Sequence, residues 1–257
     1  MLPDRASRAA AGGAARVIRP TTAGRFFIAC HRDEPDPRIR GSVVVAIDVI
    51  RASTTAITAA AAGHRCLLAA SPADARQLAG RTDRALLAGE VGGEMPAGFD
   101  LQNSPVDVLA LGEADRPIVL VSTSGVPLML AAAALAPVNV ASLRNARATA
   151  NRLAGRCPRV AILGADRDGR LRREDALCAA RIGAGLQDRG YSAEDAVTQR
   201  LLRRWGNAPD DSLLGGRSET YLRSSGQVHD LEFVLSHIDD LDDAYAVTAA
   251  MEIERSR

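Results

Sequence analysis

Three observations lead the sequence to an α/β fold: three-layer α/β/α with a largely parallel sheet. Short runs of Val, Ile and Leu alternate with longer helical segments, the pattern of strand–helix–strand units. The clearest run, V-V-V-A-I at Val43 to Ile47, is apolar at every position, as a strand buried on both faces requires. Polar side chains then gather just past that run and others, where open α/β sheets bind their ligands.

The elements follow in order. Val43 to Ile47 is a strand, and Ser53 to Ala62 is an Ala-rich helix closed by Gly63. Arg65 to Ala70 is a short strand, and Ser71-Pro72-Ala73-Asp74 starts a helix with a cap and a first-position proline. Ala85 to Ala88 is apolar and runs into G-E-V-G-G. Pro117 to Val121 is a strand that ends in S-T-S-G, followed by a helix from Val126 to Leu135. Val138 to Ala141 and Arg159 to Leu163 read as strands, with Asn145 to Leu153 helical between them. Glu174 to Gln187 and Ala193 to Arg204 read as helices, and Asp239 to Glu254 as a last helix or helix pair. The simplest organisation is one catalytic domain, residues 25–257, after a flexible leader, residues 1–24, with scattered arginines among Ala and Gly.

Composition narrows the function. At 257 residues, 47% hydrophobic and 25% charged, the chain can bury a sizeable core. With only 3% aromatics, that core is mostly aliphatic. A net charge of +1 without like-charge runs gives no footprint for nucleic acid, and no apolar run is long enough for a membrane span. All 32 basic residues are arginine. Without lysine there is no Schiff base and no P-loop lysine, so fixed cations are Arg or metal. Cys30, Cys66, Cys157 and Cys178 have neither zinc-site nor disulfide-framework spacing, which suits idle thiols in a reducing cytoplasm. The four histidines show no paired spacing, and no G-x-S-x-G elbow is present.

The chemistry concentrates in two stretches. Asp48, Arg51, Ser53, Thr54 and Thr55 follow the first strand. Asp48 suits a magnesium ligand or a water-orienting carboxylate, and equally a helix cap or a partner for Arg51. Arg51 offers a planar fork to phosphate or sulfonate oxygens, and the helix start beside it favours anions. The second stretch carries Glu90, Glu94 and Asp100 on a glycine-rich loop, followed by Asn103 and Ser104. One or two such acids suffice for Mg2+, which keeps several waters. Ser122, Thr123, Ser124 and Gly125 form an oxyanion loop or an ordinary turn. Glu174 and Asp175 open a helix, where capping alone explains them. Together these residues point to a metal-assisted phosphate site.

In these residues the chain resembles the magnesium-dependent 2-phosphosulfolactate phosphatases. The blocks are I-D-V-I-R-A-S-T-T at Ile47 to Thr55, G-E-V-G-G at Gly89 to Gly93 and G-F-D-L-Q-N-S-P at Gly98 to Pro105. Weaker blocks are S-T-S-G at Ser122 to Gly125, A-S-L-R-N-A at Ala141 to Ala146 and E-D-A-L-C-A-A at Glu174 to Ala180. The resemblance implies Mg2+-dependent hydrolysis of the phosphate monoester of 2-phosphosulfolactate to sulfolactate and phosphate, a step toward coenzyme M. It implies that Asp48, Glu90 and Asp100 handle metal or water, with Glu174 and Asp175 matching an acidic pair of the family. It implies that Arg51, Ser53 and Thr54 meet the anion, with Asn103 and Ser104 nearby. The chain departs from the family at Ser124-Gly125-Val126-Pro127, where N-G-T-R is usual, and at Gln102 in place of glycine. A same-fold phosphatase for another small phospho-acid, and a silent anion-binding protein, are the alternatives. A homo-oligomer is left open.

Overall fold

The computed structural model describes residues 24–31, 35–112, 115–165 and 169–256. The expected leader, residues 1–24, lies outside the described residues except for Gly24. Strands and helices alternate through β1 (Arg25–Cys30), β2 (Val43–Ile47), α1 (Ala52–Ala61), β3 (Cys66–Leu68), α2 (Pro72–Ala79), β4 (Leu86–Gly89) and α3 (Pro105–Ala110). They continue through β5 (Ile118–Val121), α4 (Gly125–Ala133), β6 (Val138–Ala141), α5 (Ala146–Leu153), β7 (Arg159–Gly164) and α6 (Arg173–Gln187). The last elements are β8 (Ser192–Ala193), α7 (Ala196–Trp205), α8 (Arg217–Ser224), α9 (Val228–Ser236), β9 (Tyr245–Val247) and β10 (Glu252–Arg255).

Among the described residues the strands form one sheet in the order β4-β5-β3-β10-β9-β6-β2-β7-β1-β8. Two parallel blocks, β4-β5-β3 and β6-β2-β7-β1-β8, are joined by an antiparallel pair, β9 and β10. Successive side chains of a strand face opposite sides, and the cores follow that alternation. Phe26, Val45, Ile47 and Ile162 pack with α5 and α6 on one face. Phe27, Val44, Ala46 and Leu120 pack with α1 and α4 on the other. A smaller cluster of Leu67, Ala75, Phe99 and Val119 seats α2. The result is the three-layer α/β/α arrangement that the sequence predicts. No described helix is long and apolar enough to cross a membrane.

The end of the chain differs from its expectation. Asp239 to Glu254 forms no helix but runs extended into the β9–β10 hairpin. Its acidic run is pinned from outside rather than solvated on a helix face. Arg144 pairs with Asp240 at 2.5 Å, and Arg147 N–H donates to Asp239 Oδ1 at 2.8 Å. Asp239 itself has φ +49°, incompatible with a continuing helix. Tyr245 and Ile253 bury their side chains in the α1–α4 core, so the hairpin closes the gap between the two parallel blocks.

Ile253 stands where β10 pairs with both β3 and β9. Replacing this 2%-exposed side chain by alanine should cost about 2–5 kcal/mol. Urea unfolding of I253A measures it; a loss near zero would show that the hairpin merely decorates the sheet.

Candidate active site

Asp48, Glu90, Thr123 and Ala165 follow the carboxyl ends of β2, β4, β5 and β7 and line one cleft of about 360 Å³. β5 is distant from β2 in strand order, yet the turn after it reaches Asp48. A Cβ on Gly125 would overlap Asp48 Oδ2 and the Cβ of Ala52, so only glycine admits this approach.

Four helices aim their first turns at the same space. Arg51 before α1, Ser124 before α4, Arg172 before α6 and Arg217 at the start of α8 all line the cleft. None of the four N-cap residues forms a side-chain cap, although Ser122 Oγ accepts from Val126 N–H within the first turn of α4. Ser71, Ser104 and Asp195 cap α2, α3 and α7. Uncapped first turns leave backbone N–H groups and the positive end of the helix dipole for an anion.

Beneath these helix ends lie four buried carboxylates: Asp48, Glu90, Glu174 and Asp175. Burial pushes the Asp48 carboxyl up to about 7; Arg172 and Arg51 oppose the rise, and Glu90 and Glu174 add to it. Burial, reinforced by Glu174 and Asp48, likewise raises Asp175 well above the usual carboxylate range. Asp175 Oδ1 accepts from Val49 N–H at 2.8 Å, and so holds the turn that carries Asp48. Glu90 is engaged on both oxygens. It accepts from Thr123 N–H, the Thr123 hydroxyl and Gly93 N–H, each at 2.7 Å. These bonds tie the glycine loop to the turn after β5.

Several predicted residues support the cleft without facing it. The Ser53 hydroxyl donates to Asp48 O at 2.7 Å and accepts from Asp48 N–H, while the Thr54 hydroxyl donates to Val49 O at 2.7 Å. Both hydroxyls close the strand-to-helix turn and are spent on backbone. Ser104 caps α3 and donates to Asp230 Oδ1 at 2.6 Å. Ser122 accepts from Val126 N–H at the start of α4. Asp100 is exposed and accepts from Leu87 N–H at 2.8 Å, so it finishes the edge of β4 and is absent from the cleft. Asn103, Thr123 and Ser124 do line it, and the buried Asn103 Oδ1 has no hydrogen-bond partner. The five acids expected at a metal, Asp48, Glu90, Asp100, Glu174 and Asp175, do not converge as one cage. Among the described residues no group of three or more ligating side chains is arranged to enclose an ion.

Other residues of the site carry no local sequence signal. Arg51 Nη1 donates to Asp230 Oδ2 at 2.7 Å and to Gln227, so the expected anion fork is neutralised from α9. Asp230 is fully buried and in register with Phe233 and Val234, an acid on an apolar helix face. That register is the one cue the sequence offered. Arg172, Arg217, Ser218 and Tyr221 join the cleft from a charged loop and a polar helix. A larger groove of about 960 Å³ lies along α7, but the described acids lining it, Asp36 and Asp195, are both bound to Arg38. It offers no carboxylate cluster. The four cysteines are free thiols, and burial pushes Cys66 up to about 12.

The raised Asp48 carboxyl fixes the sign of a pH effect. As pH rises from about 4 to about 7, the unfolded chain releases a proton that the folded protein keeps. Stability of the metal-free protein should therefore fall across this window, by at most about 1.4 kcal/mol per pH unit for one group. Urea midpoints at pH 4.5 to 7.5 measure it, and Asp48→Asn should flatten the slope. An equal slope in D48N would assign it to other groups.

Residues 30–243 match the family model described as 2-phosphosulpholactate phosphatase. A Deinococcus radiodurans protein named probable 2-phosphosulfolactate phosphatase is 35% identical over 196 residues, covering 74% of this chain and 82% of the relative. A Synechococcus protein of the same name is 33% identical, covering 76% and 84%. One from Symbiobacterium thermophilum is 34% identical, covering 75% and 83%. The chain belongs to the 2-phosphosulpholactate phosphatase family.

Proposed function

We propose that the protein hydrolyses the phosphate monoester of 2-phosphosulfolactate, giving sulfolactate and phosphate, with Mg2+ as cofactor. The observation that carries the reading is the pairing of three buried carboxylates, Asp48, Glu90 and Asp175, with four helix starts in one cleft. The acids suit a hard cation that takes one or two carboxylates, fills its shell with water and substrate oxygen, and needs no protein cage. Their burial, and after it their mutual repulsion, raises the Asp48 and Asp175 carboxyls, and such a cation would relieve both. Asp48 and Asp175 are the residues that would hold it, since both line the cleft while Glu90 is committed to the loop. When bound, Mg2+ supplies Lewis-acid polarisation of a phosphoryl oxygen.

The chain's own residues supply the rest. The first turn of α4 and Arg172 face the phosphoryl group and offset the charge that spreads over its oxygens. Asp48 stands at the strand end in the cleft lining, where its carboxylate can orient an attacking water. Asp175 keeps that carboxylate aimed through Val49 N–H, and Ser53 fixes its backbone. Arg51 sets the turn by its bond to Asp230 and contributes its remaining face to the anion. Four free thiols support a reducing cytoplasm as its compartment.

Phosphate release from a panel of phospho-acids, each with Mg2+ or with EDTA, tests the reading. Magnesium-dependent release selective for 2-phosphosulfolactate is expected, with Asp48→Asn folded and at least about a hundredfold slower. Release from other phospho-acids alone would keep the chemistry and replace the substrate. Equal release in EDTA would remove the metal.

A further inference from the structure

The inner wall of the cleft is carboxylate, and its outer wall is α8. Building on the phosphatase reading, we propose that Arg217, on the helix that Tyr221 fastens to the glycine loop, forms a subsite for the substrate's second acidic group, a carboxylate or sulfonate. This subsite sets the preference for phospho-acids over simple phosphate monoesters.

The charge map of the cleft leads there. Its lining holds the acids Asp48, Glu90 and Asp175 and the arginines Arg51, Arg172 and Arg217. Arg51 is bonded to Asp230 and Gln227 in the interior. Arg172 is the leading cation acting on Asp48, and its Nη1 donates to Ser218 at 3.1 Å, so it also belongs to the inner wall. Arg217 is exposed at the rim. A phosphate seated against Asp48 and the start of α4 directs the remainder of a small acid outward, toward that rim. There a guanidinium fork meets two oxygens of a carboxylate or sulfonate at once.

The fold holds this outer wall in place. Arg217 and Tyr221 are four residues apart and share one face of α8. The Tyr221 hydroxyl donates to Gly93 O at 2.5 Å, fastening α8 to the glycine loop that Glu90 organises. A Cβ on Gly93 would run into the Tyr221 ring, so this closeness depends on the glycine. The buried Asn103 Oδ1, an acceptor without a partner, independently marks the cleft as a place where a ligand's hydrogen-bond donor or a cation is received.

Arg217→Gln and Arg217→Lys test the proposal, because an exposed first-turn position can change without loss of the fold. Turnover of 2-phosphosulfolactate is compared with that of p-nitrophenyl phosphate, which lacks a second acid. In R217Q the ratio of the two kcat/KM values should fall about tenfold to a hundredfold, mainly through KM, with partial recovery in R217K. An unchanged ratio would overturn the subsite, even if both activities drop together. Calorimetric titration with sulfolactate and with inorganic phosphate separates this from the phosphatase reading. Sulfolactate binding that R217Q loses, in a protein without turnover, would keep the subsite and discard the hydrolysis. Absence of sulfolactate binding by the unaltered protein would discard the subsite.

Discussion

Asp48, Glu90, Glu174 and Asp175 meet where little water reaches, and the surrounding structure is organised to bear their repulsion. Each buried carboxylate loses hydration, and each raises the proton affinity of its neighbours. The protein answers with directed backbone and positive helix ends rather than with lysine, of which it has none. Val49 N–H donates to Asp175, and three donors stabilise Glu90, while burial keeps both Asp48 and Asp175 raised and in demand of a counter-charge. The cleft thus sets carboxylates against helix N-termini and arginines.

The cost is borne by rigid packing around the cleft. Ser53 and Thr54 lock the turn after β2, and Gly125 lets α4 sit against Asp48. The buried Arg51–Asp230 pair, completed by Ser104, ties α1, α3 and α9 to the same point. Breaking such a pair on one side leaves an uncompensated buried charge, so these residues fix geometry even where they do not touch substrate. The β9–β10 hairpin has the matching role in the sheet, joining the block that carries Asp48 to the one that carries Glu90 and Thr123.

What the sequence makes legible follows from how local the cause is. β2 is apolar at every position, and Ser71-Pro72 places a helix start, because strand burial and capping are written in adjacent residues. Asp48 and Asp175 were also legible, as acids at a strand end and a helix start. The hairpin at the chain end was not, since Arg144 and Arg147, which hold its acidic approach, are about a hundred residues away. The same holds for Asp230, Arg172 and Arg217, whose roles exist only once distant helices meet. Ser53, Thr54 and Asp100 show the converse: hydroxyls and acids beside a site are easily assigned to ligand when backbone takes them first.

In the proposed reading, Asp48 and Asp175 hold a divalent cation beside an anion. Calorimetric titration of Mg2+ into the metal-free protein from pH 5.5 to 8.5, with and without inorganic phosphate, tests it most directly. Affinity should rise with pH as Mg2+ displaces the proton of Asp48, strengthen with phosphate present, and collapse in Asp48→Asn. Mg2+ binding that ignores both pH and the D48N change, or no binding across the range, would contradict it.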